Sequence, residues 1–139
     1  SALNLARSET VKRGVRVTVC RTGDATAASP TCSTDSGTSW AQGWIVFVDN
    51  IQQAGNTLGT IDGDDQRLRV FGAIRGATLT AGASAARGVS FRPDGSSVGI
   101  NASGNAVTAG SSFSLCLDGQ ARTIEVSTTG RSRIGVTTC

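Results

Sequence analysis

The sequence predicts an α+β domain: one helix laid on antiparallel sheet. Three observations point there. The first thirteen residues are rich in Ala, Leu, Arg, Glu and Lys and hold neither Gly nor Pro, which is helix composition. After Gly14 the chain breaks into short runs of alternating apolar residues rich in Val, Ile and Thr, the pattern of half-buried strands. Polar, glycine-bearing turns separate these runs, there is no internal repeat, and the chain carries 18 glycines. At 139 residues it is long enough for one domain with a real core.

The elements follow in order. Ser1 to Arg13 reads as a helix whose Leu3, Ala6 and Thr10 share a face, widened by Ala2 and Leu5. Lys12 and Arg13 suit the negative end of the helix dipole, and Gly14 is a stop. So short and charged a helix needs a sheet to pack on. Val15, Val17 and Val19 then alternate with polar residues as a strand, and Thr22 to Ser39 is a polar loop. Trp40 to Asp49 is the most hydrophobic segment. It is apolar on both faces from Trp44 to Val48, so it reads as a central strand with its tryptophans in the core. Asn50 to Gln66 is a loop whose Asp62-Gly63-Asp64-Asp65 does not match an EF-hand and reads as a solvated acidic turn. Arg67 to Phe71 is a strand with Leu68 and Val70 on one face, and strands are also expected over Ile74 to Thr80 and Gly88 to Phe91. Pro93-Asp94-Gly95 is a turn, and Ser96 to Gly110 gives no clear signal.

The last stretch, Cys116 to Cys139, organises the functional reading. Phe113, Leu115 and Leu117 alternate before an Asp118-Gly119 turn, and Ile124 and Val126 alternate after it. Thr129-Gly130 is a second turn. In the extended piece beyond it, Ser132, Ile134 and Val136 share one face, expected in the core, while Arg131 and Arg133 share the other and point to water. Glu125 falls on the same outer face of the neighbouring strand, so ion pairing is an alternative role for these arginines. Arg122 has the parity of Ile124 and Val126 and is expected at the core margin.

Charge is unevenly distributed. Residues 1–65 carry five bases and seven acids, and residues 66–139 carry eight arginines and three acids. Twelve of the thirteen bases are Arg. The planar guanidinium fork suits phosphate or carboxylate, although codon bias accounts for such a composition equally well. The chain has no His, which removes the usual general base and the commonest metal ligand, and no carboxylate spacing marks a catalytic pair. No cofactor and no metal is expected. Four cysteines without a CxxC pair indicate disulfides in an oxidising compartment. They allow three pairings, of which the sequence-local one, Cys20–Cys32 with Cys116–Cys139, is expected. The longest apolar run, Trp44 to Val48, is far short of a membrane span. Because an oxidised protein must be exported, a leader or membrane segment is expected ahead of Ser1.

Five stretches in order carry a resemblance: Leu3 to Gly14, Trp40 to Asp49, Leu68 to Phe71, Val89 to Gly95, and Thr129-Gly130-Arg131-Ser132-Arg133. Together they resemble the FimT/FimU-type minor pilins of type IV pili, relatives of the H-type pseudopilins of type II secretion. The resemblance implies a pilin-like α+β fold, an N-terminal helix packed on two small, mainly antiparallel sheets. Residues 1–14 would be the C-terminal half of the pilin helix, folded as one unit with a globular domain over 15–139. The other half would anchor the subunit in the inner membrane, with the domain periplasmic, before assembly into a fibre among other minor and major pilins. The Gly-Arg-x-Arg pattern of Gly130, Arg131 and Arg133 is similar to that of FimT-type pilins that bind double-stranded DNA in natural transformation. Two arginines at i and i+2 of a strand lie about 7 Å apart, close to the phosphate spacing of one DNA strand. Arg92 and Arg122, and also Arg87, are further candidates for the same basic surface. The other reading the resemblance allows is a pilin or pseudopilin that contacts only its fellow subunits.

Overall fold

The computed structural model describes residues 2–139, so Ser1 lies outside the described part of the expected helix. Helix α1 spans Ala2–Arg13 and buries Ala2, Ala6 and Thr10, a spacing of four that makes a single narrow stripe. Only small side chains lie in that stripe. Thr10 Oγ1 donates toward the Phe91 carbonyl (3.1 Å) and also lies against that of Val15. The Gly14 N–H closes the helix on the Thr10 carbonyl at 2.9 Å.

Ten strands follow: β1 Val17–Arg21, β2 Trp44–Val48, β3 Gln66–Phe71, β4 Thr78–Ala81, β5 Gly88–Phe91, β6 Ser97–Ile100, β7 Ala106–Val107, β8 Ser111–Leu117, β9 Gln120–Val126 and β10 Ser132–Thr138. They form two sheets, one ordered β3-β2-β1-β5-β6-β7 and the other β10-β9-β8-β4. Every pairing is antiparallel. The core lies between α1 and the two sheets, with Val17, Val19, Val46, Val89 and Phe91 of the first sheet meeting Phe113 and Val126 of the second. On the far face of the first sheet, Ile45 and Phe47 pack with the Cys20–Cys32 bridge. Thus β2 is covered on both faces, as its sequence requires.

Three expectations change, and one silent stretch acquires structure. Trp40–Gln42 is a 3-10 turn capped by Ser39 rather than strand, and Trp40 still goes to the core, edge-on to Phe113. Leu68 and Val70 do not share a face. The pairing of β2 with β3 shifts between Val46 and Phe47, leaving Leu68 as the extra residue of a bulge, so Leu68 packs toward the helix-side core and Val70 toward the other cluster. The strand expected from Ile74 begins only at Thr78, because the Ile74 N–H is committed to the Ala41 carbonyl (2.8 Å). The silent stretch from Ser96 holds β6, which is buried along its whole length. Its small residues let the Ala83–Ala85 turn lie directly on it, and a Cβ at Gly99 would run into the Ser84 carbonyl.

Beneath β1 sits a buried polar cluster. Thr18 Oγ1 donates to Asp49 Oδ2 (2.8 Å) and lies 2.9 Å from Ser90 Oγ, which also accepts from Arg16 (2.8 Å). The Gly59 N–H donates to the same Asp49 oxygen at 2.8 Å, while Asp49 Oδ1 is buried without a partner. Burial pushes the Asp49 carboxyl up to about 6, against those two hydrogen bonds, with the Asp65 charge adding to the rise.

Both disulfides form as the sequence-local pairing, with Cα–Cα distances of 5.5 Å for Cys20–Cys32 and 6.1 Å for Cys116–Cys139. Asp62 Oδ2, Asp64 Oδ1 and both Asp65 carboxylate oxygens accept from loop donors, among them the Thr57, Asn50 and Asp62 N–H groups, while Asp62 Oδ1 is buried without a partner. Among the described residues no group of three or more Asp, Glu, Cys or His is placed to hold a metal. No described helix is long and apolar enough to cross a membrane.

Candidate nucleic-acid interface

The β9–β10 hairpin runs in unbroken register from Ser132 opposite Val126 to Thr138 opposite Gln120. Its turn is closed by the Gly130 N–H on the Ser127 carbonyl and the Ser127 N–H on the Arg131 carbonyl, both 2.9 Å. This turn docks on the one that follows β5. The Ser97 N–H donates to the Thr128 carbonyl (3.0 Å) and Ser97 Oγ to the Ser127 carbonyl (2.8 Å). Gly130 sits at the contact with a positive φ of 85°, and a Cβ there would strike the Gly95 carbonyl. The first residue of the Gly-Arg-x-Arg pattern is therefore fixed by packing, and no partner molecule is needed to explain it.

Helix α1 supports this junction from below. Arg7 Nε donates to the Gly95 carbonyl at 3.4 Å, and Ser132 Oγ donates to Asn4 Oδ1 at 3.1 Å. No local pattern links Arg7 with the tail, since a mid-helix arginine reads as solvent-facing and its partner lies 88 positions away.

Arg131 and Arg133 both line a shallow groove of about 490 Å³, together with Ser112, Ser127 and Glu125. Arg133 stands directly opposite Glu125, with Nη2 3.1 Å from Oε2. The pair is open to solvent, the Arg133 side chain 83% and the Glu125 side chain 58% exposed. An exposed pair of this kind contributes about 0–1 kcal/mol. Arg131 is exposed, and among the described residues it has no acidic partner. Chemically the groove offers one unpaired guanidinium, one weakly held guanidinium and two hydroxyls, a donor set suited to phosphate oxygens.

The remaining arginines do not join it. Arg92 lines a different depression with Arg16, Asn50 and Asp64. Arg87 lies against Gly104, and its charge acts on Arg21. Arg122 is exposed rather than at the core margin. By register it stands beside Val136 and Leu115, on the sheet face opposite Arg133. The apolar face of β10 is a further correction, because Ile134 is 65% and Val136 70% exposed. As the outermost strand of its sheet, β10 reaches past the helix, and a small apolar groove lined by Ala2, Leu3, Phe113, Ile124 and Ile134 opens between them.

With this arrangement in place, comparison with known proteins is decisive at the level of family. The family model described as type II transport protein GspH matches residues 1–130. The chain belongs to the GspH family. No curated protein matches it in sequence. Among solved structures it is similar to the type IV minor pilin FimU of Pseudomonas aeruginosa strain PAO1 in two crystal forms, each at 18% identity over 96% of this chain. The TM-scores are 0.59 and 0.58, with 79% and 83% of those chains covered. This GspH-family chain is thus a FimT/FimU-type pilin-like protein in fold, one helix packed on two antiparallel sheets. The family match ends at Gly130, so membership carries no information about Arg131 or Arg133.

Proposed function

We propose that this GspH-family chain is a type IV minor pilin that binds extracellular double-stranded DNA for uptake in natural transformation, with Arg131 and Arg133 as the phosphate contacts. The observation that carries this reading is the exposed Arg131, which has no acidic partner among the described residues, next to Arg133 at the start of β10, after a turn braced by the Pro93–Ser97 loop and α1. A braced turn presents its guanidinium groups with little ordering cost on binding. Contacts to phosphate rather than base edges make recognition weakly dependent on sequence. Affinity per subunit is then modest, with Kd roughly 10⁻⁴–10⁻⁶ M at physiological salt, and firm capture takes several subunits. Its other partners are minor and major pilins, reached from an inner-membrane anchor ahead of Ser1 and then within the fibre. The role is binding and assembly rather than catalysis.

The Arg133–Glu125 pair favours a second reading, an assembly subunit that touches only other pilins. A fluorescence titration with duplex DNA over a salt series separates the two. Arg131→Ala/Arg133→Ala is expected to weaken binding and to lower the salt slope by about 1–2, since each phosphate contact contributes ~0.9. Unchanged binding in that variant selects the assembly reading.

A further inference from the structure

We propose that Arg7 of α1 is a third phosphate contact, so that bound DNA meets the helix as well as the tail. The inference rests on the DNA-binding reading above and adds to it a residue from the opposite end of the chain. Arg7 reaches the arginine-bearing turn from the helix side. Its Nε donates to the Gly95 carbonyl at 3.4 Å, and a Cβ built on Gly130 would lie 3.1 Å from the same nitrogen. Gly130 immediately precedes Arg131, and successive Cα atoms are about 3.8 Å apart. Arg7 Nε therefore stands within roughly 8 Å of the Arg131 Cα, a spacing of the same order as that of Arg131 and Arg133 along the strand.

Bracing uses little of this side chain. The bond to Gly95 is long for an N–H···O contact and engages Nε alone. Among the described residues the N–H groups of Nη1 and Nη2 have neither a hydrogen-bond partner nor a carboxylate. The nearest acids are committed elsewhere. Glu9 pairs with Arg13 at 2.6 Å. Asp94 accepts from the Ser96 N–H and hydroxyl and has Arg92 as its charged neighbour. The walls beside the guanidinium are glycine: a Cβ at Gly95 would come 3.3 Å from Nη2, and one at Gly130 has no room. No side chain from these two positions covers it. The half-buried Arg7 opens onto a depression of about 510 Å³ along α1, shared with Asn4, Ser8 and Lys12.

Charge gives the arrangement its direction. Arg7, Arg131 and Arg133 converge on one turn from two distant parts of the chain. Among the described residues Glu125 is the single carboxylate paired with any of them. Packing accounts for Gly130 but does nothing to offset three like charges, and a polyanion does. A brace and a phosphate contact also differ in what they require. Holding a carbonyl takes any N–H donor of similar reach. Neutralising a phosphate takes a cation, and each one contributes ~0.9 to the salt slope.

A fluorescence titration with duplex DNA over a salt series separates the two roles. Arg7→Gln keeps an N–H donor for the Gly95 carbonyl and removes the charge. It is expected to weaken binding several-fold at low salt and to lower the salt slope by about 1. Arg7→Lys keeps the charge and is expected to keep the slope. Arg75→Gln removes an exposed arginine just ahead of β4, the edge strand farthest from β10 in its sheet. It is expected to leave the slope unchanged and so controls for net charge. Thermal midpoints and amide exchange at Ser97 and Ser127, whose N–H groups bond within the docked turns, report that the junction is intact. An unchanged slope in Arg7→Gln, with Arg131→Ala/Arg133→Ala lowering it, overturns the inference and leaves the DNA-binding reading standing. So does a loss of affinity in Arg7→Gln that is equal at every salt concentration, the mark of a brace, or an equal fall in slope in Arg75→Gln. A wild-type chain that binds no duplex overturns both.

Discussion

Glu125 sets the charge that an anion would meet at the tail. Its carboxylate holds Arg133 at 3.1 Å in an exposed pair, and an anion approaching the groove must displace it. Replacing it with Gln removes both the competitor and a negative charge. Glu125→Gln is therefore expected to tighten duplex binding about two- to fivefold, the scale of a surface ion pair, and a binding isotherm checks this. Gly130 works by shape instead. Its φ of 85° and its contact with the Gly95 carbonyl leave no room for a methyl group. Gly130→Ala is expected to cost about 2 kcal/mol or more, read as a lowered denaturation midpoint, and to weaken DNA binding by displacing the arginines.

The β9–β10 hairpin owes its order to its two ends. One is the turn docked on Ser97, and the other is the Cys116–Cys139 bridge, which spans 23 positions. A loop of that size implies about 3 kcal/mol of stabilisation from the crosslink. Between the ends, β10 packs little: six of its seven residues are exposed. Cys116→Ser/Cys139→Ser is expected to leave the six-stranded sheet folded while β10 opens locally, seen as amide exchange in residues 132–138 quickening far more than in β1 or β5. Elements elsewhere were legible in proportion to their burial pattern. β1, β2 and β5 announce themselves because wide apolar side chains alternate or run together. β6 stayed hidden because distant turns cover it, Gly99 lying under Ser84 and Ser97 bonded to Ser127 and Thr128, contacts that leave no local period.

The whole molecule keeps one carboxyl out of water. Asp49 is held near 6, above its ordinary 3.8, by burial first, so the fold favours its neutral form. Its contribution to stability is full below about pH 4 and is lost as the pH rises through about 6. The difference corresponds to about 3 kcal/mol. Asp49→Asn keeps an oxygen for Thr18 and Gly59 without a charge, so thermal melts are expected to show a raised midpoint near pH 7.5 and none of that gain near pH 4. At this scale the fold class, the helix and both disulfides could be read from composition, alternation and cysteine spacing. The site was readable only in part. Parity brought Arg131, Arg133 and Glu125 together correctly, because a strand alternates faces without reference to the rest of the chain. Arg7, Arg92 and Arg122 required knowing which distant elements meet, and no local pattern encodes that.

The contacts of α1 with the tail have a mechanical consequence. Arg7 reaches the Gly95 carbonyl and Asn4 accepts from Ser132, so tension pulled in along the helix arrives at the arginine-bearing turn across a few side chains. The hairpin then resists in shear, with its seven paired positions strained together rather than peeled one by one, and the cystine at its far end blocks unzipping from that side. A cargo gripped at Arg131 would hang from a path of a few side-chain contacts between the helix and the turn.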